Sequence, residues 1–269
     1  MDFEPKKVIQ ECIVSFETEN GLTDIWKPPL MAALSADDPM IPELRKAVSQ
    51  DHLLPQELLT GAKSIIVYFI PFENRIVKSN LIGEVASEDW ARAYIHTNRL
   101  IDFINEELTK CLNRQGYQAA KTKATHNFDE KTLMSRWSHR HIACLAGLGS
   151  FGLNNMLITS FGCCGRLGSI ITNLETSELS GISIKTVPGP EKCLYKINGS
   201  CGLCRKKCPD LVIGEGGNFN RHNCYQICLR NAEKNKHMGF ADVCGKCLVG
   251  LPCSDRDPSS AMHNVSSVY

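Results

Sequence analysis

The chain has 269 residues, enough for one domain of good size or a large one with a small one attached. With 43% hydrophobic and 22% charged residues, disorder is excluded as the main state. The 30 Lys+Arg against 29 Asp+Glu leave a formal charge of +1, which excludes a uniformly basic nucleic-acid binder and a polyacidic tail.

The opening Met-Asp-Phe-Glu-Pro carries neither a basic n-region nor an apolar h-region, so no signal peptide is expected and the reading is cytoplasmic. Val8, Ile9, Cys12, Ile13 and Phe16 predict a helix over 5–19, stopped by Asn20-Gly21. The following stretch, with Pro28-Pro29, Pro39, Pro42 and Pro55, reads as extended loop with short helices. Ser64–Ile70, ahead of Pro71, reads as a buried strand. Trp90, Tyr94, Ile101, Ile104, Leu108 and Leu112 recur at helical spacing and predict a long amphipathic helix over 89–114.

Residues 142–165 hold no charged side chain, a length that could span a bilayer. Five glycines and Asn154-Asn155 interrupt the run, so a buried glycine-rich loop beside a cavity is the better reading and no membrane partner is expected. Ser169–Leu174 and Ile182–Val187 read as strands. Pro188-Gly-Pro190 then marks a boundary, giving domains at 1–188 and 189–256 and a polar tail at 257–269.

Of the 14 cysteines, nine fall within residues 193–253. Without a secretory context, reduced thiols acting as ligands explain them better than disulfides. The core pattern is Cys201-Gly-Leu-Cys204-Arg-Lys-Lys-Cys208-Pro209, followed by Cys244-Gly-Lys-Cys247. Two C-x2-C pairs also suit a zinc ribbon, and one cubane plus zinc is a further alternative. Zinc alone leaves five cysteines unexplained. The Cys208-Pro209 ending instead fits a two-cluster ferredoxin run with its first slot vacant, at Asn198.

The second run has the same defect, with Ala241 in the first slot and Leu251-Pro252 where Cys-Pro would stand. Displaced ligands then complete two [4Fe–4S] clusters. Cys193, Cys201, Cys204 and Cys253 hold one; Cys208, Cys224, Cys244 and Cys247 hold the other, with Cys228 as the alternative to Cys224. Ten Lys+Arg against five Asp+Glu over 191–253 suit two anionic clusters, and equally a solvated basic face.

Gly147-Leu-Gly149-Ser-Phe-Gly152 matches G-x-G-x-x-G, but Trp137–Ala146 before it reads as helix, and a dinucleotide site needs a strand there. Ala146-Gly-Leu-Gly-Ser-Phe-Gly-Leu-Asn-Asn-Met-Leu-Ile158, then Gly165-Arg-Leu-Gly-Ser-Ile-Ile-Thr172, then the cysteine-rich run, resemble epoxyqueuosine reductase and its relatives, over about residues 60–253. The resemblance implies an α+β fold, a nitroreductase-like cobalamin-binding domain followed by a ferredoxin-like two-cluster module. It also implies electron flow from the clusters to the cobalt of cobalamin. It places the corrin against Gly147, Leu148, Gly149, Phe151, Gly152, Asn154, Asn155, Leu157, Ile158 and Gly168, with glycines admitting the backbone and asparagines meeting the amide fringe.

Two departures from the family pattern matter. The acid of an Asp-[Ser/Thr]-x-Pro stretch is missing from residues 125–138, leaving Asp129, Glu130, His139 and His141 as catalytic candidates by position. The helical-repeat extension with which the queuosine enzymes grip tRNA has no counterpart in the sixteen residues after Cys253, so tRNA is not carried over as a partner. A small molecule or modified nucleoside is the expected substrate, and a ferredoxin or flavodoxin the expected electron donor. The competing reading is an electron-transfer protein without a substrate of its own. The paired Cys163-Cys164 reads as two small buried thiols.

Overall fold

The computed structural model describes residues 3–184 and 188–260. Helix α1 (Pro5–Asn20) leads into strand β1 (Leu30–Ser35), two single-turn helices α2 (Leu44–Ala47) and α3 (Pro55–Leu58), β2 (Ser64–Pro71), α4 (Asn74–Ser79) and the 27-residue α5 (Glu88–Arg114). Next come β3 (Ala119–Lys121), α6 (His139–Leu145), the hairpin strands β4 (Gly149–Phe151) and β5 (Leu157–Thr159), then β6 (Gly165–Thr172) and β7 (Ser183–Ile184). The cysteine-rich part contributes α7 (Leu194–Asn198), α8 (Leu203–Lys207) and α9 (Arg221–Lys234).

Five strands form one sheet in the order β3-β6-β2-β1-β7, antiparallel except for the parallel β1–β7 pair. All eight residues of β2 are buried, because the sheet is covered on both faces; its unbroken apolar run reflects this. On one face α1 and α5 deliver Ile9, Phe16, Leu100, Ile104 and Leu108 to Ile66, Ile70 and Ile170. Polar groups in that layer find partners: the Tyr68 hydroxyl donates to Asn105 Oδ1 at 2.8 Å and Trp26 Nε1 to Thr97 Oγ1 at 2.7 Å. On the other face Trp137 and α6 residues Ile142 and Ala143 pack on Ala32, Leu34, Val67 and Ile171.

Helix α5 begins where Ser87 accepts the Trp90 N–H, with Glu88 and Asp89 at its positive end. Strand β1 lies in the stretch expected to be loop. Its Leu-Met-Ala-Ala-Leu-Ser has no β-branched residue, and pairing with β2 over six positions makes it a strand. Strand β6 starts four residues before the expected Ser169. Of the expected strand 182–187, Ser183–Ile184 pairs with β1, and residues 185–187 lie outside the described residues, as do 261–269 of the polar tail. The uncharged run is the end of α6 followed by the β4–β5 hairpin. Among the described residues no helix is long and apolar enough to cross a membrane.

A third, smaller core joins the two parts of the sequence. It combines Leu153, Ile158 and Cys163 with Cys193, Cys204, Cys208, Val212, Ile213, Ile227 and Leu251. The β4–β5 hairpin therefore packs with the cysteine-rich residues on one side and with the sheet on the other.

Candidate functional site

The nine clustered cysteines fall into two neighbourhoods. Cys193, Cys201, Cys204 and Cys253 together line a small recess of about 20 Å³, bordered by Gly152, Leu153, Ile158 and Leu251. Burial pushes the Cys204 thiol up to about 11, and the charges acting on it next are those of Cys253, Cys193 and Cys201. The second neighbourhood surrounds Cys247, whose thiol burial holds well above its usual value. Its charged neighbours are Cys224, Cys244 and Cys208, with Cys204 after them. Cys244, also raised by burial, feels Cys224 and Cys208. One turn of α8 thus serves both groups, with Cys204 in the first and Cys208, just past its end, in the second.

These loops are fixed by bonds to their backbone. Asn80 Nδ2 donates to the Cys244 carbonyl at 2.9 Å, and Asn154 Nδ2 to that of Cys247 at 2.8 Å. Buried Lys246 donates to the carbonyls of Asn80 and Ile82 at 2.8 and 2.9 Å. The backbone N–H groups of Cys163 and Cys164 donate to the carbonyls of Cys253 and Ser254. Between Cys244 and Cys247, Gly245 has φ +75 and lies flat on Trp90; a Cβ there would sit 2.4 Å from the indole. Only glycine permits both the conformation and the contact. Among the described residues no group of three or more His, Cys, Asp or Glu is drawn together tightly enough for a single metal ion.

An open cleft of about 580 Å³ adjoins the second neighbourhood, within the roughly 300–1,000 Å³ of a ligand-sized site. Cys224 and Cys228, one helical turn apart on α9, stand in its wall. The hydrogen bond between their thiols lowers Cys224, with Arg140 acting in the same direction, and raises Cys228. Cys163, also in the wall, is tied to the first recess by its backbone N–H, which donates to the Cys253 carbonyl. The wall also carries aromatic and basic side chains, among them Phe128, Trp137, Phe151, Tyr225, His126, Arg140, Arg166 and Arg221. No Asp or Glu lines it among the described residues.

The sequence candidates divide around this cleft. His139 lines it, but both ring nitrogens are engaged: Nε2 with the Lys123 carbonyl at 2.8 Å and Nδ1 with Ser169 Oγ at 3.0 Å. A carbonyl only accepts, so Nε2 carries the proton, and burial brings His139 down to about 4. His141 also lines the cleft, bonded through Nδ1 to Ser138 Oγ and packed against Phe151 at 4.6 Å; burial brings it down to about 4. Asp129 and Glu130 are exposed and line no part of the cleft. The Asp129 carboxylate instead caps its own turn, accepting from the N–H and hydroxyl of Thr132, which holds it below its usual range.

The expected corrin-facing residues separate in the same way. Phe151, Asn155 and Leu157 line the cleft, whereas Gly152, Asn154 and Ile158 line the thiol recess. Gly147, Leu148, Gly149 and Gly168 line neither. Gly147 and Leu148 close the end of α6 through bonds to Cys144 and Ala143. A Cβ on Gly149 would meet the Ile158 carbonyl oxygen at 2.2 Å, and one on Gly168 would meet the Tyr68 ring at 2.4 Å. These glycines admit the chain's own hairpin and sheet packing. Asn154 is occupied with Cys247 and the Met156 N–H.

Sequence reasoning missed Arg140, Arg166, Arg221 and Tyr225. A signal existed for Arg166: it is the only Asp, Glu, Lys or Arg between Arg140 and Glu175.

No family model and no curated protein matches this sequence. Solved structures do match it in fold. Epoxyqueuosine reductase from Streptococcus thermophilus aligns with a TM-score of 0.53 at 18% identity, over 93% of this chain and 68% of that one. An epoxyqueuosine reductase solved with an epoxyqueuosine-modified tRNA-Tyr stem loop aligns at 0.51 and 17%, over 96% and 71%. A reductive dehalogenase described in terms of B12-dependent dehalogenation aligns at 0.56 and 14%, over 88% of this chain and 31% of that one. The chain thus has the α+β fold shared by these two classes of reductase and spans about two thirds of the first and a third of the second.

Proposed function

We propose that this protein is a corrinoid-dependent iron–sulfur oxidoreductase with two [4Fe–4S] clusters and one cobalamin. One observation carries the reading: four thiols line a single recess, and a second group of four reaches the wall of an open cleft beside it. The donor set fits. Packed thiols that burial and mutual charge hold protonated become ligands only when a cationic centre compensates them.

Cys193, Cys201, Cys204 and Cys253 would hold the first cluster, and Cys208, Cys224, Cys244 and Cys247 the second, leaving Cys228 to hydrogen-bond Cys224. Phe151, Asn155 and Leu157 would meet the corrinoid. When bound, the clusters and corrinoid supply one-electron transfer and a redox-active metal centre. The chain's own residues orient the site: His139 stays neutral with Nε2 protonated, and aromatic side chains line part of the cleft wall. Residues 1–188 and 189–256 would be the corrinoid and cluster units. The substrate is a small molecule or modified nucleoside, and a low-potential ferredoxin or flavodoxin in the cytoplasm would supply electrons.

A second reading, electron transfer without a substrate, is favoured by the absence of any carboxyl group among the described residues lining the cleft. Titrating the anaerobic iron-loaded protein with cob(II)alamin tests the first reading by electron paramagnetic resonance. A base-off cobalt signal supports it, and the spectrum of free cofactor rejects it. Turnover of candidate epoxides with a chemical reductant separates the two readings.

A further inference from the structure

The charges in the cleft are unbalanced, and one of its cations is left without a hydrogen-bond partner. Arg140, Arg166 and Arg221 all line it, and none forms an ion pair among the described residues. Two of them have an evident role near the thiols. Arg140 and Cys224 act on one another, and Arg221 lies close enough to Arg140 to lower it, so this pair faces the electron-rich side of the cleft. Their guanidinium groups also donate to the carbonyls of Asn155 and Leu133.

Arg166 is different. It rises from β6, and its strongest charged neighbours are Tyr94 and Asp242 rather than any thiol. Asp242 is committed elsewhere, accepting from the Tyr94 hydroxyl at 2.6 Å and bonding His126 Nε2 at 3.1 Å. The Arg166 guanidinium lies 4.3 Å over the Tyr94 ring, which fixes its plane, and its Nε is shielded from water without a partner. A half-buried guanidinium with an unsatisfied N–H is costly unless an anion completes it. A planar fork held against an aromatic face suits a carboxylate, which can take two parallel N–H bonds. Phe128, Trp137, Leu157 and Leu167 offer the body of such a ligand an apolar wall.

We infer that the cleft binds an organic acid with an apolar body, its carboxylate held by Arg166. This rests on the proposed corrinoid-dependent reductase function, with substrate entering the same cleft, and adds the class of substrate. The test is calorimetric titration of anaerobic, iron-loaded protein with benzoate, benzamide and inorganic phosphate, with and without cob(II)alamin. Benzoate should bind about tenfold or more tighter than benzamide, its uncharged counterpart. Arg166→Gln should erase that preference, and Arg166→Lys should weaken benzoate while keeping the preference for charge. Arg99→Gln, on the exposed side of α5, should change nothing.

Equal binding of benzoate and benzamide overturns the inference, as does a preference that survives Arg166→Gln. If that variant does not fold, an Arg166→Lys protein with undiminished benzoate affinity overturns it as well. Phosphate binding as tightly as benzoate would overturn the organic-acid assignment. Displacement of benzoate by cob(II)alamin would give Arg166 to the cofactor, defeating this inference but not the reductase reading. Benzoate binding without any cob(II)alamin binding would do the reverse.

Discussion

The sheet and the cysteine-rich lobe are built on different principles. The sheet is closed by apolar packing on both faces of β2, with long helices and paired strands that stand without any ligand. The lobe has helices of 5, 5 and 14 residues, and its core is lined as much by thiols as by aliphatic groups. Five-residue helices are unstable alone, so the lobe depends on what its cysteines hold and on its bonds to Asn80, Asn154 and Trp90. The two regions should therefore respond differently to the same treatment.

The largest effect should come from metal removal. Iron chelation under anaerobic denaturant-free conditions should open residues 190–256 to protease while the sheet stays protected, read by mass spectrometry of the fragments. The loaded protein should carry about eight iron atoms and as many sulfides; zinc without iron would break the comparison at its root. Ile66→Ala should do the opposite. It should cost about 3 kcal/mol in denaturant unfolding of the sheet, with iron content unchanged, because Ile66 is fully buried among α5 side chains.

Gly149→Val addresses the element the two regions share. A side chain there collides with the Ile158 carbonyl, so the hairpin should shift at a cost of about 2–3 kcal/mol. The change should disturb both the recess and the cleft, because Ile158 lines one and Leu157 the other. Intact iron binding with loss of cob(II)alamin alone would instead return Gly149 to direct cofactor contact.

Acid should act on the cleft side first. His139 and His141 are brought down to about 4 from an ordinary 6.5. Their contribution is full above pH 6.5 and is lost as pH falls through 4, since the unfolded chain takes up protons first. The unfolding free energy from urea titrations should therefore fall across that window, by at most about 3 kcal/mol for buried His139, and His139→Gln should flatten the fall. The smallest effects distinguish ligands within the lobe. Cys193→Ser should lose about half the iron, whereas Cys228→Ser should retain it; full iron in the first variant would mean that another thiol serves the recess.

Much of this was legible in the residues themselves. Helices α1 and α5 and strand β2 follow from periodicity and composition, because each buries a face large enough to impose its own pattern. Strand β1 was not legible, since alanines carry no strand preference and its edges are set by β2. The spacing of the cysteine pairs, the interrupting Asn198 and Ala241, and the count of thiols all point to cluster ligation. They are local chemical facts, and sequence records those directly.

What only the tertiary structure decided is which residues share a space. Local spacing brought Gly147, Gly149 and Gly152 together as a ligand loop, yet the fold spends Gly149 on the hairpin and Gly152 on the recess. In strand β5 neighbouring side chains point to opposite sides, so Leu157 and Ile158 end in different cavities, as do the turn residues Asn154 and Asn155, the latter with a left-handed backbone. Arg140, Arg166 and Arg221 come from a helix, a strand and a second helix far apart in sequence. Their meeting in one cleft is a long-range consequence of packing, and no local pattern of residue types encodes it.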